Sequence, residues 1–350
     1  MNKQILDIYT DYLICQNKYA TATGLSELLY GDISHDKITR FLNSDDYNSK
    51  QLWQYVKPIV KKHASESGVL ILDDSIEEKP YTDENEVNCY HFSHAKGDVV
   101  KGINILSCLV RYNDISFPIG YEVIRKPTQY CDLETNRVKR RSEVNKNELF
   151  RSLLSQACHN QVSFDHILAD NWFGSKDNME YIHQDIKKHF IIGVKANRNI
   201  SFSEFGQYKA LKSQVLEKDT LYRVWLKGLS FPVMLIKKVF TNDDGSEGVL
   251  YLASNDYTST ADQLYNVYQK RWRIEEYHKS IKQNASLAKS PTKKVRSQCN
   301  HIFSSLISYC KLEFLKIKSG LNHFALKYKL ILRANQITMK ELQNMKVQYA

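Results

Sequence analysis

Through about residue 65 the apolar positions recur at helical spacing, as in "ILDIYTDYLI", "GLSELLYG" and "ITRFL". The piece "TATGLSELLYGDISHDKITRFLNS" predicts two short helices around a turn at 31–34, with Ser34 or Asp36 as the N-cap. From Gly68 the period changes. "GVLILDD" is a nearly continuous apolar run, the pattern of a central strand buried on both faces. "VVKGINILSCLV" and "SFPIGYEVI" are β-rich, and Asn113 with Asp114 between them predicts an antiparallel hairpin. Helix "KNELFRSLLSQACHN", strand "HILAD", helix "SKDNMEYIHQDIKKH" and strand "FIIGVKA" follow. That order indicates an α/β sheet of mixed direction.

Residues 199–256 break the alternation. "TLYRVWLKG", "FPVMLIKKVF" and "GVLYLAS" are β-rich, with Gly228 and Asp244 with Gly245 at turns, and predict an antiparallel β insertion. "STADQLYNVYQKRWRIEEYHKSIKQ" then predicts one long helix, capped by Ser259 or Thr260 with Asp262 or Gln263 three residues on. More helices end the chain, "IFSSLISYCKLEFLKI" being the most apolar. The expected organisation is a helical N-terminal DNA-binding region at 1–65, an α/β core at 66–198 and 257–290, the β insertion at 199–256, and a basic helical region at 291–350. The helix pair in the first region has the form of a small helix-turn-helix unit, a pattern any small helical bundle shares.

Composition narrows the partners. The chain has 350 residues, 42% of them hydrophobic, which is globular rather than disordered content. Its formal charge is +10. Residues 291–350 hold 11 Lys or Arg against two acids, Glu313 and Glu341, so nearly all the excess lies at that end. Arg137, Lys139, Arg140 and Arg141 form a second basic cluster. Clustered positive charge is the footprint of a nucleic-acid binder, solubility being the plainer explanation. Seven scattered cysteines without a C-x-x-C pair argue against a disulfide framework and a zinc site, and fit reduced thiols in a cytosol. The first residues lack the apolar segment of a signal peptide, and no run of about 18 apolar residues is present to span a membrane.

Three acids stand out by position. Asp74 ends "VLILDD", Asp170 ends "HILAD", and Glu275 lies on the long helix. Carboxylates at strand ends sit where α/β sheets build sites. Two aspartates and a glutamate brought together suit Mg²⁺, a hard cation that takes oxygen ligands. Asp73 competes with Asp74 for the first position, and Asp170 has a capping role open to it at the next helix. At 100° per residue, Tyr268, Arg271, Glu275 and Lys282 share a sector of roughly 60°, beside the apolar stripe of Leu264, Val267, Ile274 and Ile281. Arg and Lys flanking a glutamate there suit phosphate. The competing reading is a salt-bridged helix surface, which is the expected role of Arg273, Glu276 and Lys279. Arg125 and Lys126 close a strand near the expected site and are further phosphate candidates, as are Arg140 and Arg141 in the basic cluster. His94 and Lys96 fit a solvated loop, His301 a structural histidine, and Trp172 with Phe173 the packing of the next helix.

The spacing Y-x(2)-R-x(3)-E-x(6)-K, here Tyr268, Arg271, Glu275 and Lys282, resembles the YREK signature of DDE transposases from bacterial insertion sequences. "LILDDS" and "HILADNWFGS" resemble the blocks that carry that family's two aspartates, in the right order, and a β insertion before the glutamate is another family trait. The resemblance runs over about residues 20–320. It implies a ribonuclease H-like core in which Asp74, Asp170 and Glu275 hold two Mg²⁺ ions, with Mn²⁺ as the expected substitute. One ion would activate water to nick double-stranded DNA at the element's terminal inverted repeat, and the freed 3′-hydroxyl would attack the opposite strand or a target. Tyr268, Arg271 and Lys282 would hold terminal phosphates. In some relatives a tryptophan of the insertion stabilises a flipped base, and Trp225 is the counterpart here, with insertion core as its other role. The resemblance also implies a dimer on paired DNA ends, in the bacterial cytosol at the nucleoid. The rivals are a non-catalytic DNA-binding derivative of a transposase, a ribonuclease H-like nuclease without strand transfer, and a glycoside hydrolase with paired carboxylates. The basic C-terminal half disfavours the last.

Overall fold

The computed structural model describes residues 2–348 apart from 66, 95, 242 and 243. Four helices open the chain: α1 (Lys3–Cys15), α2 (Ala22–Leu28), α3 (His35–Ser44) and α4 (Ser49–Lys62). Between α2 and α3 the cap is Ser34, whose side chain accepts from the Lys37 N–H, while Asp36 sits in the first turn, where a negative charge suits the helix dipole. The β-rich half follows as β1 (Val69–Glu78), β2 (Asn88–Ser93), β3 (Asp98–Tyr112), β4 (Ile115–Val123), β5 (Thr128–Asp132) and β6 (Arg137–Arg141). Then come α5 (Lys146–His159), β7 (His166–Ala169), α6 (Lys176–Glu180) running into a π turn at Tyr181–Ile186, and β8 (His189–Val194). The insertion supplies β9 (Asn199–Ser201), β10 (Lys209–Ala210), β11 (Leu221–Leu226), β12 (Val233–Thr241) and β13 (Glu247–Ser254). The chain closes with α7 (Ala261–Gln269), α8 (Arg273–Gln283), α9 (Val295–Ser319) and α10 (His323–Gln348).

Among the described residues every strand but two joins one sheet. Its order is β10-β9-β11-β12-β13-β8-β7-β1-β3-β2, with β4 also on β3. β1 runs antiparallel to β3 and parallel to β7, and β7 parallel to β8. The block β4-β3-β1-β7-β8, with helices on both faces, is a ribonuclease H-like mixed sheet. The 199–256 segment continues this sheet, since β13 pairs antiparallel with β8. Among the described residues only β5 and β6 stand apart, as a two-stranded ribbon. The apolar run that marked β1 is fully buried from Val69 to Leu72 because both its faces are covered.

Side chains assign the faces. Ser107 of β3, level with Asp73 on β1, meets the Tyr277 hydroxyl of α8 at 3.3 Å, so that face carries α8, and α9 packs behind it. On the other face a Cβ at Gly120 of β4 would lie 2.9 Å from Leu153 of α5. α9 is buried nearly all round because the N-terminal helices close over it. Asn300 of α9 accepts from the Tyr47 N–H and donates to the Leu42 and Asp45 carbonyls, and buried His301 bonds the Tyr9 hydroxyl and the Ser286 carbonyl. His301 is thus structural, as expected.

The expected long helix from about 260 is two helices. Thr260 and Gln263 form a capping box at α7, and a 3₁₀ turn at Lys270–Trp272 separates α7 from α8. β2, β5, β6, β9 and β10 were not expected from periodicity. They are short, and β5, β6 and β10 lack a buried side to impose an alternation, whereas in β2 the buried positions are Asn88, Cys89 and His91, too few and too polar to stand out.

Candidate active site

The site forms where β7 ends against the middle of β1, which runs on to Glu78 rather than ending at Asp74 as expected. Their parallel register pairs Leu72 with Ala169, so one residue further Asp73 and Asp170 stand side by side. Paired residues of adjacent strands project to the same face, and successive residues to opposite faces. Asp73 therefore shares the α8 face with Asp170. Asp74 points to the α5 face, where its Oδ2 accepts from Lys146 Nζ at 2.8 Å. Of the two adjacent aspartates weighed for the first position, Asp73 is the one that Arg271 ties toward Glu275, while Asp74 is paired with Lys146, although its charge still helps to raise Asp73 and Asp170.

The 3₁₀ turn sets Arg271 over this pair. Its Nη1 lies 3.3 Å from Asp73 Oδ2 and 3.7 Å from Glu275 Oε1. The guanidinium thus bridges two of the carboxylates. Tyr268, buried one turn earlier, places its ring 5.8 Å from the same guanidinium. Lys282 lies two turns beyond Glu275. Its Nζ donates to the Ile76 carbonyl at 2.8 Å and sits 3.9 Å from Glu77. Tyr268, Arg271 and Glu275 gather at the aspartates, while Lys282 is tied to the end of β1. Arg273 and Glu276 pair with each other on the outer side, as expected. Trp272, next to Arg271, is 63% exposed.

The electrostatics follow from crowding. Burial, then Asp170 and Asp74, with Glu275 behind them, hold the Asp73 carboxyl up at about 8 against the pull of Arg271. Burial also raises Asp170, opposed by the hydrogen bond from the Trp172 N–H and by Arg271. Burial works against the charge of Arg271, but Tyr268, Asp73, Glu275 and Asp170 outweigh it and raise this group. A cluster in which one carboxyl resists ionisation at neutral pH is short of positive charge.

Asp170 does not cap the next helix. Its Oδ1 accepts from the Trp172 N–H at 3.0 Å within the turn, and the cap of α6 is Ser175. Trp172 and Phe173, expected to pack the next helix, place their rings on the preceding one instead: Phe173 is fully buried against Phe150 of α5, and Trp172 lies under Lys146. The turn is pressed onto β8. A Cβ at Gly193 would lie 2.8 Å from the Asn171 backbone nitrogen, closer than a real Cβ approaches. Glycine there lets the Asp170 turn seat.

Other expected residues sit elsewhere. Trp225 is far from the carboxylates. The paired registers put Val224 level with Val233, Ser254's neighbour Asn255, Phe190 and Ile167, so Trp225 lies level with the start of β7. It is four strands from β7, roughly 19 Å at ~4.8 Å per strand. Its ring faces Arg223 at 5.8 Å, so the role it fits is packing in the insertion. Arg125 is paired with Glu86, and Lys126 Nζ donates to the Tyr90 carbonyl at 2.6 Å. Arg140 pairs with Glu84 at 2.9 Å. These three are engaged in holding loops. Arg141 is exposed. Lys96 pairs with Glu78 on the surface.

Sequence reasoning missed two residues near the site. Lys146 bonds Asp74 and lies 4.3 Å over the Trp172 ring. His278, one turn after Glu275, is buried with Nε2 unpartnered among the described residues, and burial and then Lys282 and Arg271 hold it down at about 3. A histidine three residues after the key glutamate was the available signal for the second. The first had none beyond being the opening residue of an amphipathic helix.

A ribonuclease H-like sheet with one aspartate in the middle of its central strand and another just past the end of the adjacent parallel strand defines the structural class. Family comparison gives the rest. A model described as DDE superfamily endonuclease matches residues 1–207, and one described as transposase DDE domain matches residues 137–311. The chain belongs to the DDE superfamily of endonucleases and transposases, enzymes that act on DNA. No curated protein matches it.

Proposed function

We propose that this chain is an insertion-sequence transposase that nicks the ends of its element and joins them to target DNA, with Asp73, Asp170 and Glu275 as its three acids. The observation that carries the reading is the adjacency of Asp73 and Asp170 under an arginine that also reaches Glu275. Among the described residues no three His, Cys, Asp or Glu side chains are close enough to hold one ion as they stand. The donor set nevertheless fits a divalent cation. It is all carboxylate oxygen, its charge is uncompensated enough to keep Asp73 protonated near neutrality, and a cation, the Arg271 guanidinium, already bridges Asp73 and Glu275. Mg²⁺ or Mn²⁺ bound there supplies Lewis acidity for attack on a phosphodiester.

The protein's own part is holding. Asp73 and Asp170 are fixed by strand backbone rather than by loops, which suits the positional precision such chemistry needs. Arg271 has five donors in a planar fork and is already charged, so a DNA phosphate entering the site can take over the contacts it now makes to Asp73 and Glu275. Tyr268 restrains the guanidinium from behind, and Lys282 offers a point charge on the same side. A dimer on paired DNA ends, with 1–65 contributing DNA contacts, completes the reading.

The test is cleavage of a duplex carrying the element's end. Asp170→Asn and Glu275→Gln should each lower nicking by roughly three orders of magnitude, with duplex affinity nearly unchanged. Chelation should stop the wild type, and Mn²⁺ should restore it. Nicking at the wild-type rate by either variant would remove that residue from the site. Products joining the nicked end to a second duplex separate a transposase from a nuclease that stops at hydrolysis.

A further inference from the structure

The ribbon β5–β6 is the one β unit outside the main sheet among the described residues. Both of its feet stand at the carboxylate end of the core. β4, which leads into it, ends at Val123, paired with Ile105, which is paired in turn with Ser75, two residues past Asp73. α5, which follows it, begins at Lys146, the residue that bonds Asp74. The ribbon is therefore an arm rooted beside the site.

Its two faces differ. Directly paired residues share a face, so Gln129, Cys131, Val138 and Arg140 lie on one side. Arg140 anchors that side to the body through Glu84 and through the Lys126 carbonyl at 3.3 Å. The opposite side carries Arg137, Lys139, Arg141 and Tyr130. Lys139 is paired with Asp132 at 2.6 Å, a fully exposed pair that water and salt screen. Arg137 and Arg141 have no ion-pair partner among the described residues. Tyr130 is 41% exposed between them, and Leu133 at the tip is 88% exposed.

An isolated two-stranded ribbon is marginal in water, and this one gains little from packing on the core. A row of cations beside a cluster of acids also has an electrostatic use. Asp170 and Glu275 repel phosphate, as does Asp73 once it is ionised, so DNA held there needs positive charge alongside. A two-stranded ribbon fits the major groove, which is about 12 Å wide. We propose that β5–β6 is a DNA arm that enters the major groove of the duplex next to the carboxylates, with Arg137 and Arg141 against its phosphates and Tyr130 facing the groove. The inference rests on the proposed DNA cleavage for what is held at the carboxylates.

The test compares the wild type with Arg137→Ala/Arg141→Ala, using a mixed-sequence duplex of about 40 base pairs, or roughly four helical turns. Affinity is measured across a salt titration. Each lost phosphate contact removes about 0.9 from the slope of log affinity against log salt, so the double variant should be shallower by about 2. The wild type should also shield guanine N7, a major-groove atom, from methylation, and the variant should not. A second variant replaces 129–140 with Asn-Gly, which closes the gap between directly paired Thr128 and residue 141, and also carries Arg141→Ala; it should show the same losses. An unchanged slope in both variants overturns the proposal. Equal loss on single-stranded DNA of the same length, without N7 protection, overturns the groove and makes the ribbon a single-strand contact. A wild type that never nicks but shows the slope change refutes the cleavage reading alone.

Discussion

On β1 the face toward α8 and the face toward α5 carry one aspartate each, and the two are held in opposite ways. Asp73 sits among acids, bridged to Glu275 by an arginine, and is pushed up to about 8. Asp74 has a lysine to itself at 2.8 Å. The same side chain, one residue apart, is in one case an unsatisfied anion awaiting positive charge and in the other a member of a settled ion pair. The difference comes from the strand's two-residue period and from which helix each face meets. Neutralised carboxylates hold structure, and crowded ones can hold an ion.

Several changes would sharpen or break that contrast. The largest effect on cleavage is expected from Arg271→Ala, which removes the only guanidinium bridging Asp73 and Glu275 among the described residues. Nicking should fall by about 10²-fold or more, because a phosphate contact at the reacting centre is lost. Activity within twofold of wild type would mean that Arg271 only caps the acids. Next is Gly193→Ala. The added methyl collides with the Asn171 backbone, so the Asp170 turn must shift, at a cost of about 1–3 kcal/mol by thermal unfolding and with cleavage reduced further than stability alone explains. The same substitution leaves the Asp74–Lys146 pair untouched. A variant as stable as the wild type would show that the turn has slack.

The third change is pH. Unfolding returns Asp73 to the ordinary aspartate value of 3.8, while the fold holds it at about 8, so between these values the folded chain carries the extra proton. Stability from this group is thus highest at low pH, falls as pH rises through about 4 to 8, and is flat above. Buried neutral His91, His278 and His301, all held low, give the opposite slope below about 6.5, so the comparison has to be made between variants. Without divalent ions, Asp73→Asn should gain on the wild type by about 5 kcal/mol by pH 8, and by almost nothing at pH 4. A gain independent of pH would place the cause outside the titration of Asp73. The smallest effect belongs to the settled pair. Lys146→Met leaves Asp74 unpaired and should cost about 1–2 kcal/mol, less than for a fully buried pair because both groups are about a fifth exposed. Adding Asp74→Asn should recover most of it in a double-mutant cycle.

Much of this arrangement could be read in the chain. The apolar run into "LDD", the strand "HILAD" and the hairpin at Asn113 and Asp114 located β1, β7, β3 and β4, because each is buried and burial leaves a periodic mark. The choice between Asp73 and Asp74 was illegible, since it depends on register with β7 and no single strand records its partner. The 3₁₀ turn at Lys270–Trp272 was hidden for another reason. No Gly or Pro marks it, and the helical apolar stripe runs straight through. Trp225 misled because its place in an insertion is visible in sequence, whereas the direction and distance of that insertion's strands are not. Arg125 and Arg140 misled because Glu86 and Glu84, which neutralise them, lie far off in sequence.

The measurement that bears most directly on the account is a paired cleavage assay of Asp73→Asn and Asp74→Asn on one element-end duplex in Mg²⁺. The account predicts that Asp73→Asn nicks at background, while Asp74→Asn stays within about tenfold of the wild type. Cleavage retained by Asp73→Asn and lost in Asp74→Asn would contradict it.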